Sequence, residues 1–380
     1  MVKDVTISRI DVSVFRVPVT IPVATSFGVM TSRPAVFVRL TDKDGGYGWG
    51  EIFANWPAAG AEHRARLLIE DIADLVIGFH APAPSALFDY LSRRTHIRAL
   101  QCGEWGPFRQ VIAGLDCALW DLFARRAGVP LARLLNESAA SFVPTYASGL
   151  DITRAGELIA QLRAQGHDAF KVKVGFDMAR DLALLGDIQA SLRAGERLFA
   201  DANQAWDLRQ ALEFITQTNG LGLGWLEEPI RADQPPAQWG HLASLSRTPL
   251  AAGENVTGMD DFTALITAGD VQIIQPDVAK WGGITGCYAV AQAAVGAGRS
   301  YCPHFLGGGI GLLASAHLLA AAGGPGMLEM DANPNPLRDA FLSTNSGPKR
   351  QFDLGGSAGL GVDALPDDLT PYLTLALSRS

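Results

Sequence analysis

The sequence predicts an α/β barrel of the (β/α)8 type preceded by an α+β region, and three observations carry that prediction. From about Ser141 onward, short apolar runs alternate with helical patterns, which is the texture of a parallel sheet with crossover helices. Polar residues recur in phase at the ends of those runs, one per βα unit. The first third reads differently, with strand patterns grouped first and helical patterns after them.

In the first third, Ile7–Val17 and Ala35–Thr41 are strand-like, the latter alternating through Val36, Val38 and Leu40. Lys43-Asp44-Gly45-Gly46 supplies turn chemistry, and Tyr47–Phe53 returns as a strand, which predicts a hairpin. Helices are predicted over Glu62–Gly78, Pro84–Arg94 and Pro107–Gly128; the last carries Val111, Leu115, Leu119 and Leu122 on one stripe and stops at Gly128-Val129-Pro130. Eight strands follow, at Phe142–Ala147, Ala169–Val174, Leu198–Ala202, Leu223–Glu227, Leu250–Gly253, Val271–Gln275, Tyr301–His304 and Met327–Met330. Helical patterns such as Ala155–Gln165, Leu208–Thr218 and Ala314–Ala322 separate them. An open doubly wound sheet would want a glycine-rich dinucleotide turn after its first strand, and none is there.

Composition narrows the function classes. The chain has 380 residues, 31 basic and 39 acidic side chains and a formal charge of −8. Only 18% of residues are charged and 48% are hydrophobic, far too apolar for a disordered chain. Glycine, at 41 residues, is about 11% of the chain against a usual value of about 7%. No basic stripe offsets the acidity, so nucleic acid is not expected as a partner. No run approaches the ~18 apolar residues of a membrane span, and the N-terminus lacks the pattern of a signal peptide. Cys102, Cys117, Cys287 and Cys302 have no CxxC spacing and read as reduced, mostly buried thiols of a cytoplasmic protein.

The strand-end residues are Lys173, Asp201, Glu227, Glu254, Asp277, His304 and Glu329, separated by 28, 26, 27, 23, 27 and 25 positions. Each alone reads as a helix cap or a solvated charge; in phase, they converge on the barrel mouth, where such barrels put their active sites. Asp201, Glu227 and Glu254 stand on three consecutive strands and would repel one another strongly without a cation between them. An all-oxygen set suits Mg2+, or Mn2+. Glu228 should point the other way along its strand and serve only as a supporting residue.

Phe170-Lys171-Val172-Lys173-Val174 puts two lysines on one face of a covered strand. Their mutual repulsion, together with the nearby metal, is expected to lower a lysine pKa toward the range of a general base, with Lys173 nearer the strand end the better base and Lys171 tuning it. Asp277 and His304 fall on adjacent strands opposite the lysines, the usual way to orient an imidazole. Glu329 would donate a hydrogen bond to developing negative charge if protonated. Gly307-Gly308-Gly309 before a helix suggests an anion cradle, weakly, since no Lys-Ser/Thr follows. His317 is expected to pack against the barrel.

With these residues in hand, the chain resembles the enolase superfamily, specifically its mandelate racemase-like subgroup. Besides the strand-end residues, the resemblance rests on Ala118-Leu119-Trp120-Asp121-Leu122, Trp225-Leu226-Glu227-Glu228-Pro229, Gly253-Glu254-Asn255 and Gln275-Pro276-Asp277…Lys280…Gly282-Gly283, and it covers nearly the whole length. It implies a modified barrel of the (β/α)7β type spanning 131–350, an N-terminal α+β capping domain over 1–130, and a segment 351–380 that returns to the cap. Asp201, Glu227 and Glu254 match metal ligands, Lys173 the base on one substrate face, and His304 with Asp277 the base on the other. Lys171 and Asn203 match residues near the substrate, and Glu329 the group facing its carboxylate. Aspartate rather than lysine at 277 argues against muconate-type cycloisomerisation or dipeptide epimerisation.

The chemistry the resemblance implies is removal of the proton α to a carboxylate, giving an enediolate held by the metal. Acid-sugar dehydration to a 2-keto-3-deoxy acid comes first, and racemisation or epimerisation of a 2-hydroxy acid second, since both use the same residues. Ile21–Ser32, matching the mobile lid of the cap, offers only hydroxyls for polarity, and Ile52-Phe53-Ala54-Asn55-Trp56 is likewise apolar. That makes a smaller or partly hydrophobic 2-hydroxy acid a serious alternative to a polyol acid. A non-catalytic metal-stabilised scaffold would have no use for two lysines and an Asp–His pair. The resemblance also implies a homo-oligomer.

Overall fold

The computed structural model of the chain describes residues 4–26, 28–342 and 347–380. Its first layer is an antiparallel sheet built on two long strands, β1 (Val5–Thr25) and β2 (Gly28–Asp42), followed by β3 (Tyr47–Ile52). Alternation buries Val5, Ile7, Ile10, Val12 and Val14 of β1 beneath the cap helices. The expected hairpin forms after β2: Asp42 Oδ1 accepts the N–H groups of Asp44 and Gly46 at 2.8 and 2.9 Å, with Gly45 at φ 84°. Both strands run further than their apolar alternation, because β1 and β2 extend beyond the core as a two-stranded ribbon with Val23 opposite Met30 and Thr25 opposite Gly28. The segment read as a lid, Ile21–Ser32, is this ribbon; Phe27 and the side chains of residues 20–25 lie outside the described residues.

A two-residue strand, β4 (His80–Ala81), also pairs with β1. The helix Trp105–Ala127 lies directly on β3: a Cβ at Gly48 or Gly50 would sit 2.1 Å from the carbonyl oxygen of Ala118 or 2.0 Å from that of Gly114. Only glycine permits that approach. The helix predicted over Glu62–Gly78 is broken in the structure into Gly60–Arg66, a π-helical turn Leu67–Ile72 and Ala73–Val76.

Eight parallel strands follow: β5 (Phe142–Asp151), β6 (Ala169–Lys173), β7 (Arg197–Asp201), β8 (Leu226–Glu227), β9 (Leu250–Ala252), β10 (Ile273–Ile274), β11 (Ser300–Tyr301) and β12 (Leu328–Asp331). They are ordered β11-β10-β9-β8-β7-β6-β5-β12, with a helix in each of the intervals between consecutive strands, the (β/α)7β pattern of a modified TIM barrel under a capping domain. The sheet curls so that its ladder ends meet at Gly326 and Tyr301, where Met327 N–H reaches Cys302 Sγ at 3.4 Å. Tyr146, Phe199 and Trp225 fill the floor, the last two stacked at 3.6 Å and Tyr146 edge-on to Trp225 at 5.1 Å. β13 (Gln351–Asp353) pairs antiparallel with β5, and β14 (Leu373–Arg379) pairs antiparallel with β1 of the first layer. No helix among the described residues is long and apolar enough to cross a membrane. Cys117, Cys287 and Cys302 are buried and Cys102 exposed, all as free thiols.

Candidate active site

The structure brings every strand-end residue singled out above to one mouth. Parallel register places Lys173 beside Asp201 and Asp201 beside Glu227 on neighbouring strands, all at C-terminal ends. Lys171, Lys173, Asp201, Asn203, Glu227, Glu254, Asp277, His304 and Glu329 are all buried there. Side chains alternate along each strand, and the parallel register sets Lys171, Lys173, Asp201 and Glu227 on the inner face of adjacent strands.

Lys171 is wholly buried above the ring of Tyr146 and ties three carboxylates together. Its Nζ donates to both oxygens of Glu227 at 2.9 and 2.8 Å, lies 2.8 Å from Glu329 Oε1 and stands 3.6 Å from Asp201. Lys173 donates to Asp201 Oδ2 at 2.6 Å. His304 is held from both sides, Nδ1 2.8 Å from Asp277 Oδ2 and Nε2 2.5 Å from Glu254 Oε2. Asp277 is itself fixed by the N–H groups of Ala279 and Lys280, at 2.8 and 3.1 Å. Asn203, at φ 43°, donates its N–H to Asp201 Oδ1 at 2.9 Å. The hydroxyl of Ser26, in the tip of the ribbon, donates to the Asn203 carbonyl, so the ribbon reaches the mouth.

Electrostatics corrects two expectations and backbone geometry a third. Mutual repulsion does act on Lys173, but it brings neither lysine below its ordinary value. Burial pushes both down, but Glu227 and Glu329 hold Lys171 well above its ordinary value, and Asp201 holds Lys173 above its own. Glu329 is not a protonated donor: burial opposes its charge, yet Lys171 and His304 keep it ionised, down to about 2, and it accepts from the Ser148 hydroxyl at 2.5 Å and Phe305 N–H at 3.1 Å. Glu228 does not turn away along the strand. Its backbone is left-handed at φ 37°, and its carboxylate accepts from Asn255 Nδ2 at 3.0 and 2.9 Å, a nitrogen that also donates to Glu254 at 2.9 Å.

The donor set fits a hard divalent cation by charge. Burial and then Asp201 push Glu227 up to about 7 despite Lys171, and burial and then Glu254 push Glu228 well up. Carboxylates at 201, 227, 228, 254, 277 and 329 outnumber the cationic groups of Lys171, Lys173, Lys280 and His304 in one low-dielectric mouth. Among the described residues no three His, Cys, Asp or Glu side chains are gathered as a ready cage. The three carboxylates expected to share a metal are instead turned onto Lys171, Lys173 and His304. Burial also works to discharge His304, but Glu254, Glu329 and Asp277 overcome it and hold the imidazole protonated, well above its ordinary value.

Several residues to which the sequence assigned no role complete the site. Gln275 Nε2 and Trp225 Nε1 donate to Glu227 Oε2 at 2.8 and 3.2 Å, Ser148 supports Glu329, and Lys280 stands 3.6 Å from Glu254 over the ring of Phe53. Gln275 and Trp225 each precede a chosen carboxylate by two positions and so share its face, a period-2 signal that was available. The triple glycine at 307–309 meets a carboxyl group of the protein itself: Glu51 of β3, pushed up to about 7 by burial, accepts the N–H groups of Gly308 and Gly311 at 2.5 and 2.8 Å. His317 is buried as expected, its Nδ1 accepting the N–H of Ala132 at 3.1 Å.

Comparison with known proteins agrees with this fold. Residues 154–368 match the enolase C-terminal domain-like family, and residues 9–136 match the N-terminal domain of mandelate racemase/muconate lactonizing enzyme. A mandelate racemase/muconate lactonizing enzyme structure from Bordetella bronchiseptica RB50 is 45% identical, superposes with a TM-score of 0.91 and covers 97% of this chain and 100% of its own. L-talarate dehydratase from Polaromonas sp. JS666, in complex with Mg and L-glucarate, is 25% identical at a TM-score of 0.84, covering 99% of each chain. D-galactarolactone cycloisomerase of Agrobacterium fabrum is 26% identical over 90% of this chain and 91% of its own length.

Proposed function

The chain belongs to the mandelate racemase/muconate lactonizing enzyme family of the enolase superfamily and is a lyase or isomerase, and on that premise we propose that it dehydrates a hydroxylated acid by removing the proton α to its carboxylate. The observation that supports the proposal is that Lys173, bonded to Asp201, and His304, bonded to Asp277, are buried at one mouth on different strands, as two proton-transfer groups would be. In this reading Lys173 takes the α-proton from one face. The C–O bond to the β-hydroxyl then breaks, its electron pair leaves with oxygen, and His304 delivers the proton that makes the leaving group water. The enol left behind gains a proton at C3 and becomes a 2-keto-3-deoxy acid. Asp277, 2.8 Å from His304 Nδ1, orients the imidazole for that delivery.

Asp201, Glu227 and Glu254 would hold Mg2+, whose charge, when bound, would stabilise the negative charge developing on the substrate carboxylate and offset the carboxylates that keep Lys173 protonated. The L-talarate dehydratase relative, with its bound Mg, supports that assignment. Lys171 stays charged and, with Asn203, helps to orient the acid. Glu329, ionised and bonded to Ser148 and Lys171, fixes Lys171 rather than donating to substrate.

The same two-base geometry supports racemisation, with His304 returning a proton to the opposite face. Where the β-oxygen belongs to a ring, elimination loses no atoms and is an isomerisation, the outcome named for the Agrobacterium relative. Incubating the Mg2+-loaded enzyme with L-talarate, L-glucarate, D-galactonate and galactarolactone, with 2-keto acid read by semicarbazide and optical rotation read in parallel, tests the proposal. Keto-acid formation is expected; rotation change without keto acid would move the assignment to racemase.

A further inference from the structure

The two halves of the mouth are fastened differently. The loop that follows Lys173, the last residue of β6, is tied down within the barrel: Asp181, wholly buried on the helix Met178–Ser191, accepts the N–H groups of Gly175, Phe176 and Asp177 at 2.8, 3.0 and 3.3 Å. The loops carrying Asp277 and His304 are tied down by the cap. At the end of β3, Glu51 is buried and accepts from Gly308 and Gly311, the start of the helix Gly309–Ala322 that follows His304. A carboxylate there satisfies otherwise unpaired amides and meets the positive end of the helix. A Cβ on Gly307 or Gly308 would come within 2.8 or 2.9 Å of Glu51 Oε1, so the loop is shaped around this side chain.

The chain just beyond Glu51 continues the grip. Phe53 N–H donates to the carbonyl of Ala279, two residues past Asp277, at 3.3 Å, and Asn55 Nδ2 to the carbonyl of Leu306, two past His304, at 2.6 Å. A second cap carboxylate, Asp116, accepts from the N–H and hydroxyl of Thr285 at 2.8 and 2.6 Å, holding the helix that follows the Asp277 loop.

We propose that Glu51 is a positioning residue for one face of the reaction: by seating residues 306–311 against the cap it fixes His304 against Asp277, while the loop that follows Lys173 is seated by Asp181 of the barrel. The proposal rests on the reading of His304 as the second proton-transfer group. Docking of the cap through Glu51 then completes the histidine side of the site, whereas on the lysine side the cap reaches only the Asn203 carbonyl, through Ser26.

Hydrogen–deuterium exchange on the full-length, Mg2+-loaded protein tests this without a substrate. Glu51→Gln is expected to lower protection of residues 304–311, including the Phe305 amide, about ten-fold, and to leave residues 171–177 unchanged. Asp181→Asn should do the reverse, and Asn55→Ala should repeat the Glu51→Gln pattern more weakly. Equal loosening of both loops, or an unmoved Phe305 amide, would overturn the proposal. The kinetic arm uses α-proton exchange on D-galactonate and its C2 epimer D-talonate. For the epimer whose exchange His304→Ala abolishes, Glu51→Gln should lower kcat about 10- to 100-fold with KM little changed, leaving the other epimer within two-fold. Equal losses on both epimers would refute it. If the wild-type enzyme exchanges neither epimer, the functional reading fails for these acids, and the exchange protection pattern alone decides the role of Glu51.

Discussion

Lys171 is the point at which the charge of the site balances, and replacing it by methionine tests that balance. The side chain is 0% exposed and its Nζ spans Glu227 and Glu329 at 2.8 to 2.9 Å. Methionine keeps the volume and the contact with Tyr146 but leaves two buried carboxylates facing each other. Breaking a buried pair from one side costs about 3–5 kcal/mol, because the remaining charge is left unpaired. The loss should not be additive with Glu329→Gln: once the lysine is gone, discharging Glu329 removes a repulsion, so the double variant should recover about 1–3 kcal/mol relative to the sum of the single losses. Urea unfolding of the four proteins at pH 7 without divalent metal measures the cycle. A loss below about 1 kcal/mol for Lys171→Met, or strict additivity, would refute the argument that Lys171 neutralises both carboxylates.

Other outcomes follow from the same geometry. Lys173→Ala and His304→Ala should each abolish α-proton exchange of one C2 epimer in D2O and leave the other measurable; loss of both epimers in both variants would contradict a two-sided site. Burial holds His317 down to about 4 in the folded protein, against an ordinary value of 6.5. The unfolded chain therefore binds the extra proton between those values, so the contribution of His317 is complete above pH 6.5 and is lost as pH falls toward 4. That loss is about 2 kcal/mol at pH 5. His317→Asn, which keeps an acceptor for Ala132 N–H but cannot charge, should remove this part of the acid sensitivity, read as urea midpoints at pH 7 and pH 5. Ser26→Ala removes the hydroxyl that the ribbon places on the Asn203 carbonyl. It should raise KM about three- to ten-fold with little change in kcat, a loss of about 1 kcal/mol of binding.

The barrel was legible in the sequence because its strands are buried on both faces and its helices are amphipathic, so the alternation of textures survives without any alignment. Residues at strand ends were legible for a related reason: a βα unit has a nearly fixed length, and Lys173, Asp201, Glu227, Glu254, Asp277, His304 and Glu329 keep its phase. Their placement in one mouth follows from that phase and the parallel register. What the pattern could not carry was the balance of charges across the mouth. Repulsion between Lys171 and Lys173 is a local, i to i+2 effect readable along one strand, but it is outweighed by Glu227 and Glu329, which come from strands 56 and 158 residues away. Glu228 escaped for a backbone reason, since strand alternation fails at a left-handed residue. Glu51 escaped because nothing in Trp-Gly-Glu-Ile announces that its partner is a glycine loop more than 250 residues later. The ribbon of β1 and β2 is longer than its apolar alternation because it leaves the core that makes alternation visible.

Removal of an α-proton by side chains of this mouth is tested most directly by proton NMR of D-galactonate and L-talarate incubated with the Mg2+-loaded enzyme in D2O. Loss of the C2 proton signal is expected together with the appearance of a 2-keto-3-deoxy acid, both abolished by Lys173→Ala/His304→Ala. Retention of the C2 proton across these and simpler 2-hydroxy acids, with the metal bound, would contradict it.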